Sequence, residues 1–132
     1  VAVWVEPGDY IVKDAGLLML QVTLAERKRN TLFYGVDGGF NLAIEPAFYS
    51  LPCEPVPAVL GAEPDSAWAP DALTPATIAG NINEALDLFA QDVPLPAMRE
   101  GDYLALLNAG GYAAAMGSNH CMRGAATEHL LV

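Results

Sequence analysis

Leu17-Leu18-Met19-Leu20-Gln21-Val22-Thr23-Leu24, followed by Glu26-Arg27-Lys28-Arg29-Asn30 and then Leu32-Phe33-Tyr34-Gly35-Val36, is the stretch whose reading decides the fold. Two apolar, β-rich runs flank five polar residues, a pattern that predicts two strands joined by a solvated hairpin turn. Working outward, similar runs recur at Val1 to Val5, Ile44 to Tyr49, Thr77 to Ile82, Tyr103 to Leu107 and His129 to Val132. Breaks at Pro7-Gly8, Gly38-Gly39, Pro46 and Gly110-Gly111 keep each piece short, as in all-β barrels and sandwiches. Pro52 to Pro75 holds six prolines and several acids, so it predicts a surface loop and excludes a helix or a central strand. Asn83 to Ala90 offers a short helix, with Asn83 as its cap and Ala85, Leu86, Leu88 and Phe89 as its apolar side.

The 132 residues, 53% of them hydrophobic, can bury one core and are too few for two ordinary domains. Asp, Glu, Asn or Pro interrupts every apolar run before it reaches the roughly 18 residues of a membrane span, so a soluble, cytoplasmic protein is expected. Six basic residues against sixteen acidic ones give a net charge of -10, the wrong sign for nucleic acid. Cys53 and Cys121 match no metal spacing and read as two reduced thiols, a bridge being the alternative. Val1-Ala2-Val3-Trp4-Val5 is a buried-strand pattern without an initiator Met, so the chain is expected to start mid-fold.

Four segments, in order, resemble the C-terminal part of the pyridoxal-phosphate-dependent decarboxylases that act on diaminopimelate, ornithine and arginine. Val5-Glu6-Pro7-Gly8 is similar to a Glu-Pro-Gly-Arg element where the last strand of a (β/α)8 barrel enters the C-terminal domain. Val36-Asp37-Gly38-Gly39-Phe40-Asn41 and Glu45-Pro46-Ala47-Phe48-Tyr49 resemble Asp-x-Gly followed by Arg-Pro-x-x-Tyr. Gly80 to Asp87 aligns with Cys-Glu-Ser-x-Asp, Asn83 standing for the Cys. Asn108-Ala109-Gly110-Gly111-Tyr112, then Met116-Gly117-Ser118-Asn119-His120, resembles Asp-Ala-Gly-Ala-Tyr followed by Met-x-Ser-x-Tyr-Asn.

The resemblance implies a mainly-β, Greek-key-like C-terminal barrel or sandwich, of the type shared by alanine racemases and these decarboxylases, with one or two short helices. Residues 1–8 would end the last strand of an absent barrel, and 9–132 would form the C-terminal β-domain. Pyridoxal 5'-phosphate would be contacted by Glu6, Gly8 and Tyr112. A carboxylate such as Glu6 beside the ring nitrogen keeps it protonated, which strengthens the ring as an electron sink. Asn83, Glu84 and Asp87 would reach a neighbouring subunit's active site, implying a homodimer, and Glu45, Tyr49 and Glu84 would face a small amino-acid substrate. Taken alone, Glu6 reads as a turn residue, Glu84 and Asp87 as a solvated acidic face, and Tyr112 as a turn aromatic.

Departures from the pattern carry their own expectations. Asp9 stands where the family has an Arg near the cofactor phosphate, so it is expected either to turn outward or to leave phosphate binding to the barrel. Glu45 replaces an Arg suited to a substrate carboxylate, which favours a cationic or neutral-polar substrate end. Asn83 has no titratable proton to give. The lysine that carries the cofactor in the family is absent: Lys28 lies in the charged turn and Lys13 reads as a surface residue, so the isolated chain is expected to be inactive. Two other readings stay open, a non-enzymatic β-barrel binding module and a domain of alanine racemase type, against which Glu6 argues.

Overall fold

The computed structural model describes residues 1–58 and 69–132. β1 (Leu18–Lys28) and β2 (Thr31–Val36) pair antiparallel around the two-residue turn Arg29-Asn30, with Arg29 at φ +56°. The positive φ lets the chain reverse within two residues. The predicted hairpin is therefore present, but β1 runs on through Glu26-Arg27-Lys28 and shortens the turn. After α1 (Glu45–Tyr49) come β3 (Glu54–Ala58), β4 (Thr74–Ala79), β5 (Leu88–Leu95), β6 (Tyr103–Leu107) and a last short helix, α2 (Tyr112–Ala115).

These six strands form one sheet in the order β3-β6-β1-β2-β4-β5, antiparallel throughout except for the parallel β2–β4 pair. Alternation sets the buried face: Leu20 and Val22 on β1, Tyr34 and Val36 on β2, and Ala76 and Ile78 on β4 all point inward. On β6, which lies between β1 and β3, Leu104, Ala105 and Leu106 are buried in succession. The hydroxyl of Tyr34, deep in this core, accepts the Met98 N–H at 3.0 Å and donates to the Pro96 carbonyl at 3.4 Å. The phenol is thus buried with its polar tip satisfied.

The sheet curls until its edges nearly meet. Just before β3, the half-buried Cys53 thiol donates to the Phe89 carbonyl of β5 at 2.9 Å, so a side chain bridges the gap where no backbone ladder is formed. The domain is the mainly-β, barrel-like architecture expected, with two short α-helices among the described residues.

Several elements differ from the sequence reading. Ile44 to Tyr49 was expected as a strand, but Pro46 sits in the first turn of α1, where its missing N–H breaks no helical bond. Asn83 to Ala90 forms no helix: bends and turns occupy 81–86, Asn83 caps nothing, and β5 takes over at Leu88. The proline-rich loop gives up Glu54–Ala58 to an edge strand. Pro55 and Pro57 share one side of the alternation there, leaving Glu54, Val56 and Ala58 as the residues with donors for β6. Residues 59–68 of that loop lie outside the described residues. Val1 to Val5 and His129 to Val132 are exposed and unpaired rather than strands. No helix among the described residues is long and apolar enough to cross a membrane.

Burial pushes the Cys53 thiol up to about 11, whereas Cys121 is exposed. Iodoacetamide at pH 8 is expected to alkylate Cys121 and spare Cys53 in the folded protein, the two becoming equally reactive in urea, as read by peptide mass spectrometry.

Candidate functional site

The segment leading into the sheet makes two tight 3-10 turns, Asp9–Ile11 and Lys13–Ala15. The Asp9 and Lys13 side chains face each other across them. Lys13 Nζ donates to Asp9 Oδ2 at 2.6 Å and to Glu45 Oε1, at the start of α1, at 2.7 Å. The other Asp9 oxygen accepts the backbone N–H of Tyr112, the first residue of α2, at 3.0 Å. Side-chain exposure falls from 31% at Lys13 to 17% at Asp9 and 8% at Glu45, so the two acids are largely out of water and share one ammonium.

Two glycines allow this convergence. A Cβ on Gly8 would overlap the Tyr112 hydroxyl, and one on Gly111 would overlap Asp9 Oδ1, so both positions need the bare backbone for close approach. On the far side of α1, the Tyr49 hydroxyl lies 3.9 Å from Met116 Sδ, just past α2. Lys13, Glu45, Cys53, Leu106 and Asn108 line a shallow groove alongside.

Burial acts to raise the Asp9 carboxyl, but the Lys13 ammonium and the Tyr112 amide outweigh it and hold Asp9 below the ordinary value of 3.8. Hydrogen bonds to Asp9 and Glu45 hold the Lys13 ammonium above its ordinary value against the opposing effect of burial. Both shifts keep Asp9 and Lys13 ionised around neutral pH.

The loop between β4 and β5 carries the second group. Asn83 and Glu84 are exposed, and His120 Nε2 stands 3.7 Å from Glu84 Oε1, a pair that attracts only when the imidazole is protonated. The His120 ring packs on Phe40 at 4.8 Å between centroids. Asp87 is buried, its oxygens accepting the N–H groups of Phe40 at 2.7 Å and Ile82 at 2.6 Å. It ties the loop after β2 to the loop after β4.

The structure thus brings Gly8 to Tyr112, Glu45 and Tyr49 onto one helix, and Glu84 to His120. Glu6 stands exposed in the leading segment. Asp9, expected either to turn outward or to leave phosphate binding to the barrel, points into the domain, where it shares the Lys13 ammonium with Glu45. Lys13, read as a surface residue, is the shared partner of two site acids. The four-residue spacing of Asp9 and Lys13 was visible in the sequence, but nothing there pointed to Glu45 as the second partner.

With this geometry in place, similarity to known proteins is informative. Residues 9–110 match the family model of the pyridoxal-dependent decarboxylase, C-terminal sheet domain. The chain belongs to that family. The diaminopimelate decarboxylase of Methanothermobacter thermautotrophicus is 40% identical over 127 residues, covering 96% of this chain and 28% of the relative. Crystal structures of diaminopimelate decarboxylase in complex with L-lysine align with the domain. The M. jannaschii enzyme does so at TM-score 0.78 and 28% identity, over 91% of this chain and 26% of that one. For the Helicobacter pylori enzyme the values are 0.74 and 29%, over 89% and 27%. This decarboxylase domain therefore spans little more than a quarter of its relatives' length. Membership decides against the domain of alanine racemase type.

Because the folded Asp9 carboxyl titrates below its unfolded value, its stabilisation is complete above about pH 5 and is lost as pH falls through the folded pKa. Asp9→Asn is expected to flatten that acid limb of a urea-stability profile against pH. Asp87→Asn, which sets an amide against one of two backbone donors, is expected to lower stability by about 2 kcal/mol in urea melts at pH 7.

Proposed function

We propose that this chain is the C-terminal domain of a pyridoxal-phosphate-dependent amino-acid decarboxylase of diaminopimelate decarboxylase type, contributing contacts to an active site shared across a homodimer. The observation that carries this reading is the packing of Gly8 against the Tyr112 hydroxyl. Segments from the two ends of the domain, both aligned with cofactor-contacting elements, meet at one place with a phenol presented beside bare backbone. That is a fitting setting for a phosphate oxygen.

When bound, pyridoxal phosphate supplies the electron sink that loss of CO2 requires. Glu6 is exposed and so available to hold a proton on the ring nitrogen, which an adjoining (β/α)8 barrel would bring to it. Residues 1–8 then lead from that barrel into the β-domain. The Tyr112 hydroxyl donates to the phosphate. Asp9, though acidic, does not oppose that phosphate with a free charge, because Lys13 and the Tyr112 amide take up its oxygens.

The exposed Glu84 reaches the neighbouring subunit's site and binds the distal amine of its substrate, with Asn83 beside it orienting by hydrogen bonds and Asp87 bracing the loop from beneath. Glu45 and Tyr49 border the substrate from α1. Both lysines are unsuited to carry the cofactor: Lys13 is held charged between two carboxylates, and Lys28 stands at the exposed end of β1 against Glu26 at 3.3 Å.

The substrate is a small amino acid whose distal end is cationic or neutral. Glu45 offers no fork for a carboxylate, and its one ion-pair partner among the described residues, Lys13, is shared with Asp9.

Release of CO2 from diaminopimelate, lysine, ornithine and arginine by the full-length parent tests the reading. Turnover of at least one diamino or guanidino acid above that of diaminopimelate is expected, and rapid turnover of diaminopimelate alone would sink the substrate assignment. The 132-residue chain with added cofactor is expected to release CO2 from none of the four.

A further inference from the structure

We infer that Lys13 is the positioning residue of the site, holding the turn that presents Tyr112 by its backbone carbonyl and, through Asp9, by its side chain. The inference rests on the decarboxylase reading only for its consequence at the cofactor.

Three segments far apart in sequence converge on this one residue. Its carbonyl accepts the Gly110 N–H at 2.9 Å, and three residues on the Gly16 carbonyl accepts the Ala109 N–H at 2.9 Å, so one side of the 108–112 turn is laced to the lysine's own backbone. Its ammonium fixes Asp9, whose second oxygen takes the Tyr112 N–H. The same ammonium fixes Glu45 at the start of α1, the helix that carries Tyr49. Tyr112 is therefore gripped from both ends of its turn by groups that depend on residue 13.

A lysine stem is flexible and gains little from a single exposed partner. Here two largely buried carboxylates hold it at 2.6 and 2.7 Å, which charge-assisted hydrogen bonds favour and an incidental surface contact does not. Remove the ammonium and the two acids are left close together without a cation. Like charges in partial burial repel, and Asp9 relieves the conflict by turning toward water, releasing the Tyr112 amide. The loss is local, since the strands beneath keep their own ladders and core.

The test uses the full-length enzyme carrying Lys13→Met or Lys13→Arg, with amide hydrogen exchange as a readout independent of turnover. Lys13→Met is expected to speed exchange at Tyr112 about tenfold, the order expected when a charge-assisted hydrogen bond is lost, while Leu104 and Leu106 stay unchanged. It is also expected to weaken pyridoxal phosphate binding about tenfold in a fluorescence titration. Lys13→Arg, which keeps a cation in reach of both acids, is expected to hold both quantities within about threefold. Should Lys13→Met fail to fold, Lys13→Gln, which keeps a donor and loses the charge, carries the same expectations. Unchanged exchange at Tyr112 in the neutral variant overturns the inference. Faster Tyr112 exchange with undiminished cofactor binding upholds it and overturns instead the assignment of Tyr112 to the phosphate.

Discussion

β1 holds two part-sheets together. Its first residues, Leu18 to Gln21, pair with β6, which in turn carries β3; from Val22 onward it pairs with β2, which leads to β4 and β5. The changeover coincides with an irregularity in the ladder between Val22 and Leu24, where the strand bends and its twist increases. That bend lets a single sheet curl around Leu20, Val22, Tyr34, Ile78 and Leu104 far enough for Cys53 on one margin to reach Phe89 on the other. The candidate site sits at the start of this strand, because the turns carrying Asp9 and Lys13 lead directly into Leu18.

Charge is distributed around the same point. With ten more acids than bases, most carboxylates can only face water, where each is stable by itself. Four among the described residues cannot do so freely: Glu45 and Asp9 share one ammonium, Asp87 accepts two backbone amides, and Asp102 accepts the Arg99 N–H with the Arg99 guanidinium nearby. The first two solutions join segments distant in sequence. An acidic chain has thus turned the need to satisfy buried carboxylates into the means of holding its functional loops.

Much of this was legible in the sequence where local pattern and tertiary role agree. β1, β2 and β6 show as strands because their apolar runs are unbroken, and the hairpin shows because five polar residues separate two such runs. β3 and β5 were not legible: Pro55 and Pro57 disguise one, while Gln91, Asp92 and Pro94 disguise the other. Both are edge strands, where prolines and irregularities are tolerated, Asp92 taking φ +53° beside a break in register. α1 passed for a strand because six residues cannot distinguish the two periodicities. Of the site, the residue types could be read from the motifs. The partnership of Lys13 could not, since its second acid lies 32 residues away and only the folded chain brings them together.

The strand order also governs how the chain can assemble as it leaves the ribosome. β1, β2, β4 and β5 are mutual neighbours and can zip together once Leu95 has emerged. β3 is made before β4 yet pairs with β6, the last strand of the sheet in chain order, so it must wait unpaired while later residues pass it. Its two prolines suit that interval, since a strand with two of its five donors missing is a poor template for pairing with another chain.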